Sequence, residues 1–218
     1  MQPRPETLVR FEAMADPVRR HYAALVADLD AAVGRVLEAL AAAGVAENTL
    51  VIFLSDNGGV PHFGGSNGPL HGQKGSLFEG GIRVPCLVRW PGRVPAGLTV
   101  ESPAHAVDWL PTLLQVAGGE KPALADGNAL PLLTGAAAAP DRILCWDEIA
   151  AERDGGGETQ ALRRGDWKYL RLKTGEERLF NLRIDPGERH DLAASESVRM
   201  TALRHDFLAW RRSVYGER

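Results

Sequence analysis

Apolar residues near the start of the chain recur at the spacing of one face of an amphipathic helix. Asp16 and Pro17 suit the N-cap and first helical position, and Gly44 suits a left-handed cap at the other end. The pattern therefore predicts one long helix between them, with a stripe formed by Tyr22, Leu25, Leu29, Val33, Val36 and Leu40.

A continuous apolar run at residues 50–54 follows this helix after a short turn. Such a run is typical of a strand covered on both faces in a parallel sheet, and a helix feeding a strand forms an α/β unit. Asp56 and Asn57 then lie at the carboxyl end of the strand, where open α/β sheets bind their ligands.

Residues 58–81 form a long glycine-rich stretch, and loops of this length are usually functional or disordered. Residues 83–90 read as a second strand that stops at Pro91. Asp108 is expected to cap a helix that runs through Ala117. Pro111 would lie in the first turn of this helix, where proline is tolerated.

The pattern changes after an alanine-rich linker at residues 135–140. Residues 159–163, 167–172 and 178–182 read as short strands of an antiparallel meander. A last helix is predicted for residues 197–214, with a sheet-facing side formed by Val198, Leu203, Phe207, Trp210 and Val214. The predicted domains are an α/β part at 1–139 and a small α+β subdomain at 140–218.

Composition excludes several classes of protein. The 218 residues are 44% hydrophobic and 24% charged, with a net charge of −3, which argues against nucleic-acid binding. No apolar run is long enough for a membrane span, and no signal-peptide core opens the chain. A protein with this sequence alone would be expected in the cytoplasm, whereas a signal upstream of it would direct the protein to the periplasm or outside the cell. Cys86 and Cys145 are expected to be buried free thiols and not a disulfide.

The candidate chemistry lies in the glycine-rich region. Asp56 and Asn57 offer the hard oxygen ligands that Ca²⁺ or Mg²⁺ takes. The sequence Asp-Asn-Gly is, however, also common in turns that bind no metal. Lys74 stands between Gly72 and Gly75, which let the backbone approach a ligand, and offers a point charge to an anion. A lysine in a loop is otherwise a solvated charge.

Three motifs in this region resemble those of the sulfatase family of sulfuric-ester hydrolases. They are Ser-Asp-Asn-Gly-Gly at 55–59, Pro-Leu-His-Gly-Gln-Lys-Gly at 69–75 and Glu-Gly-Gly-Ile-Arg-Val-Pro at 79–85. Weaker matches follow in the family's order at residues 107–114, 126–135, 166–169 and 179–192. The resemblance runs from about Tyr22 to the end, and the ordered set is far more specific than any single piece.

The resemblance implies an alkaline-phosphatase-like mixed sheet with flanking helices, of which this chain holds part. It implies that Asp56 and Asn57 complete a site for Ca²⁺, or for Mg²⁺, whose other ligands lie upstream. Lys74 would contact the sulfate and the ester oxygen that leaves. The implied substrate is a small sulfate ester or a sulfated glycan, with His71 and His62 as further substrate-binding candidates. For Glu79 and Arg83 a structural role is favoured: if buried, they would most simply pair with each other or cap the loop.

One part of the family's machinery is missing from this sequence. The family's nucleophile is a formylglycine made from Cys or Ser in a C/S-x-P-x-R motif, and neither Cys86, Cys145 nor any serine stands in it. The resemblance therefore implies the C-terminal half of a sulfatase, inactive alone, with an upstream half as its partner. Two alternatives stay open: a phosphate or phosphonate ester hydrolase of the same superfamily, and a non-catalytic remnant that binds sulfated ligands or a partner chain.

Overall fold

A computed structural model describes residues 2–120, 133, 135, 141–147 and 158–216. Its helices are α1 (Pro5–Val9), α2 (Pro17–Ala42), α3 (Glu79–Ile82), α4 (Trp109–Val116) and α5 (Ser197–Tyr215). Its strands are β1 (Val51–Leu54), β2 (Cys86–Arg89), β3 (Ile143–Asp147), β4 (Glu158–Arg164), β5 (Trp167–Leu172) and β6 (Glu177–Asn181). Short 3₁₀ helices cover Ala46–Asn48, Pro61–Phe63 and Ala106–Asp108.

Helix α2 confirms the first prediction. The Asp16 carboxylate accepts hydrogen bonds from the backbone N–H groups of Val18 and Arg19, which satisfies donors that a helix start leaves free. Gly44, just beyond the end, has the left-handed φ of 70°. Much of the apolar stripe is nevertheless open to solvent, since Tyr22, Leu29 and Val36 are 38%, 51% and 58% exposed.

Strand β1 forms where the apolar run predicted it, but its pairing differs from the parallel arrangement expected. Its partner among the described residues is β2, which runs antiparallel, with Val51 opposite Arg89 and Leu54 opposite Cys86. The described residues do not cover this strand on both faces, because Leu54 is exposed and its neighbours are only partly buried. A continuous apolar run does not encode strand direction; the path of the chain through residues 55–85 does.

Strands β3 to β6 form a four-stranded antiparallel meander in sequence order. Strands β4 to β6 confirm the predicted meander, and their ends lie within one or two residues of the predicted ends. Strand β3 was not predicted from the sequence. One face of the sheet packs against α5 through a cluster built on Tyr169, Leu179 and Phe207. The other face packs against the glycine-rich region through Leu77, Phe78 and Phe180. This second cluster connects the meander to the candidate site.

Helix α5 is confirmed, but two of its predicted sheet-facing residues are wrong. Leu203 and Phe207 are buried as expected, and Trp210 packs against the same cluster. Val198 is 85% exposed and Val214 53% exposed, while Met200 is buried instead. Val198 lies about 140° around the helix from Leu203, at roughly 100° per residue, so the two cannot share a narrow face.

Some predictions fall on residues that the structure does not describe. The domain boundary at 139–140 and nearly all of the segment at 126–135 lie outside the described residues, and the boundary stays a prediction. Cys86 and Cys145 are free thiols, as expected, but the prediction that they are buried is wrong, because Cys86 is exposed and Cys145 is only partly buried. Within the described part of the chain, no helix is both long enough and apolar enough to cross a bilayer.

The Asp28 carboxylate connects α2 to α1. Asp28 accepts hydrogen bonds from the Thr7 hydroxyl at 2.6 Å and from the backbone N and Nε of Arg4, both at 2.8 Å. The Thr7 hydrogen bond, followed by the contacts from Arg4, lowers the pKa of Asp28 to about 2.

This contact should loosen in acid. Because the unfolded carboxyl binds a proton more readily than the folded one, the stabilisation is complete above pH ~3.8 and is lost as the pH falls through about 2. Amide exchange in α1, compared at pH 5 and pH 2, should accelerate beyond the intrinsic pH effect in the native chain. The variant Asp28→Asn should lack this extra step, and an identical step in both proteins would rule out Asp28 as its cause.

Candidate active site

Asp56 and Asn57 lie immediately after β1, as their place in the sequence predicted. Asp56 is exposed and Asn57 is partly buried. The Ser55 hydroxyl donates to the Asn57 carbonyl at 3.0 Å, and the Asn57 Nδ2 donates to the Gly58 carbonyl at 3.0 Å. The second bond assigns the amide nitrogen to the backbone, so that the Asn57 Oδ1 is the atom available to a ligand.

These two residues fit part of a divalent-cation site. No described residue donates a hydrogen bond to the Asp56 carboxylate or to the Asn57 Oδ1, so both offer oxygens that are not otherwise engaged. Ca²⁺ takes 6–8 oxygen ligands. The described residues contain no group of three or more His, Cys, Asp or Glu that could hold a metal. The donor set is therefore hard and suitable in kind, but it supplies only some of the ligands.

The loop of Asp56 and Asn57 rests directly on helix α3. The Gly58 N–H donates to the Gly81 carbonyl at 2.9 Å. A Cβ added to Gly58 would stand 1.8 Å from the Gly80 carbonyl oxygen, which no backbone adjustment of a few tenths of an ångström could accommodate. Only glycine allows this approach, and it sets the height of the Asp56 loop above α3.

Asn67 joins this loop to the loop of Lys74, a role that sequence analysis missed. Its Oδ1 accepts from the Gly59 N–H at 2.7 Å, and its Nδ2 donates to the carbonyls of Gly59 at 3.0 Å and Gly72 at 2.9 Å. The Lys74 N–H donates to the Gly59 carbonyl at 3.5 Å. In the sequence, Asn67 lies in Ser-Asn-Gly, a pattern that predicts a turn and not a residue that connects two loops.

An open cleft of about 1580 Å³ is lined by Asp56, Asn57 and the residues that follow Lys74, from Gly75 to Leu77. The Lys74 side chain is exposed and is not among the described lining residues. The structure thus brings the backbone of Lys74 beside the Asp56 loop. We expect the side-chain heads of Asp56, Asn57 and Lys74 to face one cleft, and this convergence and the roles of the three residues stay predictions.

The two histidine candidates lie outside the described lining of this cleft. His71 is stacked on Phe78 with ring centroids 3.9 Å apart, and His62 contacts the edge of Phe63. His105 does line the cleft, where it accepts a hydrogen bond from the Val107 N–H and packs against Trp146. Burial lowers the pKa of His105.

A buried ionic cluster lies beneath the site and was not predicted as a cluster. Lys168 of β5 is 0% exposed, and its Nζ lies 3.0 Å from the Glu79 Oε1 and 2.8 Å from the Glu188 Oε1. The Glu79 N–H donates to the Glu188 Oε2 at 2.6 Å. Burial raises the pKa of Glu188, against the opposing effect of Lys168.

The expected pair of Glu79 with Arg83 is at most a secondary contact. Their charged atoms are 4.0 Å apart and Arg83 is half exposed, whereas Lys168 is closer and wholly buried. Arg163, at 3.7 Å from the Glu79 Oε2, is a further cation near the cluster. Lys168 lies 89 positions away from Glu79 along the chain, so no local pattern could have paired them.

Comparison with known proteins agrees with these motifs. A family model described as Sulfatase matches residues 3–119, and a second, described as N-sulphoglucosamine sulphohydrolase, C-terminal, matches residues 71–209. Arylsulfatase A of Bos taurus is 35% identical over 196 residues, which cover 77% of this chain and 38% of that protein. Steryl-sulfatase of Mus musculus is 45% identical over 125 residues, which cover 52% of this chain and 20% of that protein.

The fold has close counterparts among solved structures. A crystal structure of Ps i-CgsB superposes with a TM-score of 0.87 and 33% identity over 96% of this chain and 46% of that chain. The same protein has been solved in complex with k-i-k-neocarrahexaose, with the same agreement. The chain spans less than half the length of each of these relatives.

Proposed function

This chain belongs to the sulfatase family, and we propose that it provides the cation-binding and anion-binding part of a sulfuric-ester hydrolase site. The observation that carries the proposal is the placement of Asp56 and Asn57. Their unengaged oxygens lie at the carboxyl end of β1, beside the loop of Lys74, in an open cleft. The ordered family motifs support the same assignment.

Asp56 and Asn57 would hold a divalent cation through their side-chain oxygens. Ca²⁺ is the preferred ion and Mg²⁺ the alternative. When bound, such an ion would supply positive charge to the oxygens of a sulfate group. Lys74 would place its ammonium against the sulfate and the leaving ester oxygen, where negative charge develops as the bond breaks.

The proposed substrate is a sulfate ester, either of a small molecule or of a glycan. The glycan option is supported by the similarity to Ps i-CgsB, which was crystallised with k-i-k-neocarrahexaose. The nucleophile is assigned to residues outside this sequence, because no Cys or Ser among the 218 residues stands in a C/S-x-P-x-R motif. Hydrolysis would then need both parts together.

A complementation assay tests the proposal. Residues 1–218 alone should hydrolyse a chromogenic aryl sulfate at the background rate in the presence of Ca²⁺. Adding a separately expressed upstream half of a sulfatase, which carries the C/S-x-P-x-R motif, should restore turnover, and Asp56→Ala in this chain should return turnover to background. Turnover by residues 1–218 alone, abolished by Asp56→Ala, would contradict the division of the site.

A second substrate separates the ester classes. The complemented protein should act on the aryl sulfate in preference to an aryl phosphonate of the same leaving group. A preference for the phosphonate would move the assignment to phosphonate ester hydrolysis. The matched variant Asp30→Ala, which removes an exposed carboxylate on α2, should leave both rates unchanged.

A further inference from the structure

The segment that carries Lys74, residues 69–79, is contacted near both ends by one turn of the C-terminal region. This turn, residues 185–190, follows β6 and carries Gly187 and Glu188, which are both buried. It approaches Pro69 at one end of the segment and Glu79 at the other. Neither contact is local, because more than one hundred positions separate the turn from the segment.

The first contact is a close backbone approach. A Cβ built on Gly187 would lie 2.9 Å from the Pro69 carbonyl oxygen. Gly187 does not have a positive φ, so its need for glycine arises from this contact and not from its own backbone conformation. Any side chain at Gly187 would push the Pro69 end of the segment away from the turn.

The second contact is a charge-assisted hydrogen bond. The Glu79 N–H donates to the Glu188 Oε2 at 2.6 Å, and the other carboxylate oxygen of Glu188 lies 2.8 Å from the buried Lys168 Nζ. Such bonds are roughly twice as strong as neutral ones. The Glu79 end of the segment is therefore tied to the meander through both Glu188 and Lys168.

The turn is held together by hydrogen bonds of its own. The Asp185 carboxylate accepts from the backbone N–H groups of Arg189 and His190, both at 2.8 Å, and the Asp185 carbonyl accepts from the Glu188 N–H at 3.1 Å. Glu188 has a φ of 52°, the one positive φ among the described non-glycine residues. An unfavourable backbone conformation of this kind persists only where its surroundings enforce it.

We propose that this turn is a positioning clamp for Lys74: Gly187 and Glu188 hold the two ends of residues 69–79 and thereby set where the lysine presents its ammonium to a sulfate group. The proposal rests on the anion-binding role of Lys74 in the proposed function. An exposed lysine has several freely rotating bonds, so the backbone beneath it decides which positions its charge can reach. A misplacement of about 1 Å can cost a site as much as 10²-fold in rate.

Binding of inorganic sulfate to the 218-residue chain tests the clamp. The amide resonances of residues 72–76 would be followed during titration with sodium sulfate at constant ionic strength. We expect Lys74→Ala to weaken binding, and Glu188→Ala and Gly187→Ala each to raise the dissociation constant by about tenfold. Glu188→Gln keeps an acceptor for the Glu79 N–H and should restore part of the affinity.

The readout that separates positioning from general stability is a double-mutant cycle. If Glu188 acts through Lys74, then Glu188→Ala should cause no further loss of sulfate affinity in the Lys74→Ala background. Amide exchange should accelerate in residues 69–79 and stay unchanged in β5 for Gly187→Ala, which leaves the ionic cluster intact. Glu38→Ala and Gly34→Ala, at sites without such contacts, serve as matched controls.

Two results would overturn the clamp. One is an unchanged sulfate affinity and unchanged exchange of residues 69–79 in Gly187→Ala. The other is an equal loss of affinity from Glu188→Ala with and without Lys74. If Lys74→Ala does not weaken sulfate binding, the anion-binding role of Lys74 in the proposed function is wrong. The amide exchange rates of residues 69–79 in Gly187→Ala then still decide whether the turn holds these residues in place.

Discussion

Replacing Lys168 with methionine should lower the free energy of unfolding by about 3–5 kcal/mol, the usual cost of removing one partner from a buried ionic contact. Lys168 is wholly buried and lies within 3.0 Å of both Glu79 and Glu188. Methionine fills a similar volume but leaves two buried carboxylates without their closest cation. Urea denaturation followed by far-ultraviolet circular dichroism measures the difference.

The matched control is Lys173→Met. Lys173 follows the same strand, but it is exposed, and substitutions at such surface positions usually change stability by less than about 0.5 kcal/mol. Equal losses from both variants would show that the buried cluster contributes nothing specific. A loss confined to Lys168→Met would establish that the contact is needed.

The Lys168→Met deficit should also shrink in acid. Burial raises the pKa of Glu188, and Lys168 opposes that rise, so its removal should raise the pKa further. A folded-state pKa above the unfolded value means that the folded chain binds the proton more tightly. Stability of the variant should therefore increase as the pH falls through the folded pKa towards ~4.5. A deficit that is constant with pH would contradict the burial of an unpaired charge at Glu188.

Substituting alanine for Gly58 should destabilise the chain by about 1–3 kcal/mol and displace the Asp56 loop, as overpacking does elsewhere. The added Cβ would meet the Gly80 carbonyl oxygen at 1.8 Å and its carbon at 2.8 Å, and both atoms belong to the backbone. Because no side chain can rotate away, either α3 or the loop must move. Denaturation gives the stability, and the amide shifts of Asp56 and Asn57 report the displacement.

The variant Gly34→Ala should change stability in the opposite direction from Gly58→Ala. Gly34 lies inside helix α2, and nothing stands within 4 Å of a Cβ added there. Alanine in a helix interior is favoured over glycine by roughly 0.5–1 kcal/mol, so this variant should be more stable. If Gly58→Ala behaved like Gly34→Ala, the close approach of the Asp56 loop to α3 would be absent in solution.

Local patterns in the sequence were sufficient for the two long helices, for strands β4 to β6 and for the first candidate ligands, but not for β3. The cap at Asp16 and the 3.6-residue spacing determined α2, because helix formation depends on contacts within one or two turns. Alternation and turn residues predicted strands β4 to β6 of the meander, whose neighbours are adjacent in sequence. Asp56 and Asn57 were located because they follow β1 directly. The family motifs then supplied a chemical interpretation for these residues.

Contacts between distant segments decided what those patterns could not. The direction of β1 relative to β2 depends on the path of a long loop, and an apolar run carries no information about direction. Nothing in the sequence around Lys168 indicates that this strand residue is buried. Its burial is possible because Glu79 and Glu188, which are distant along the chain, lie next to its ammonium group. Asn67 reads as a turn, yet its carboxamide joins two loops.

The physical reason for this division is the range of the interactions involved. Helix caps, turns and strand alternation are satisfied by neighbours along the chain, and they can be read from a short window. A buried charge is tolerated only when a specific partner neutralises it, and here that partner comes from another element. Residue types and local patterns indicate which side chains are candidates for the site. Contacts between distant segments decide which of these side chains meet, and which glycines bring their backbones close together.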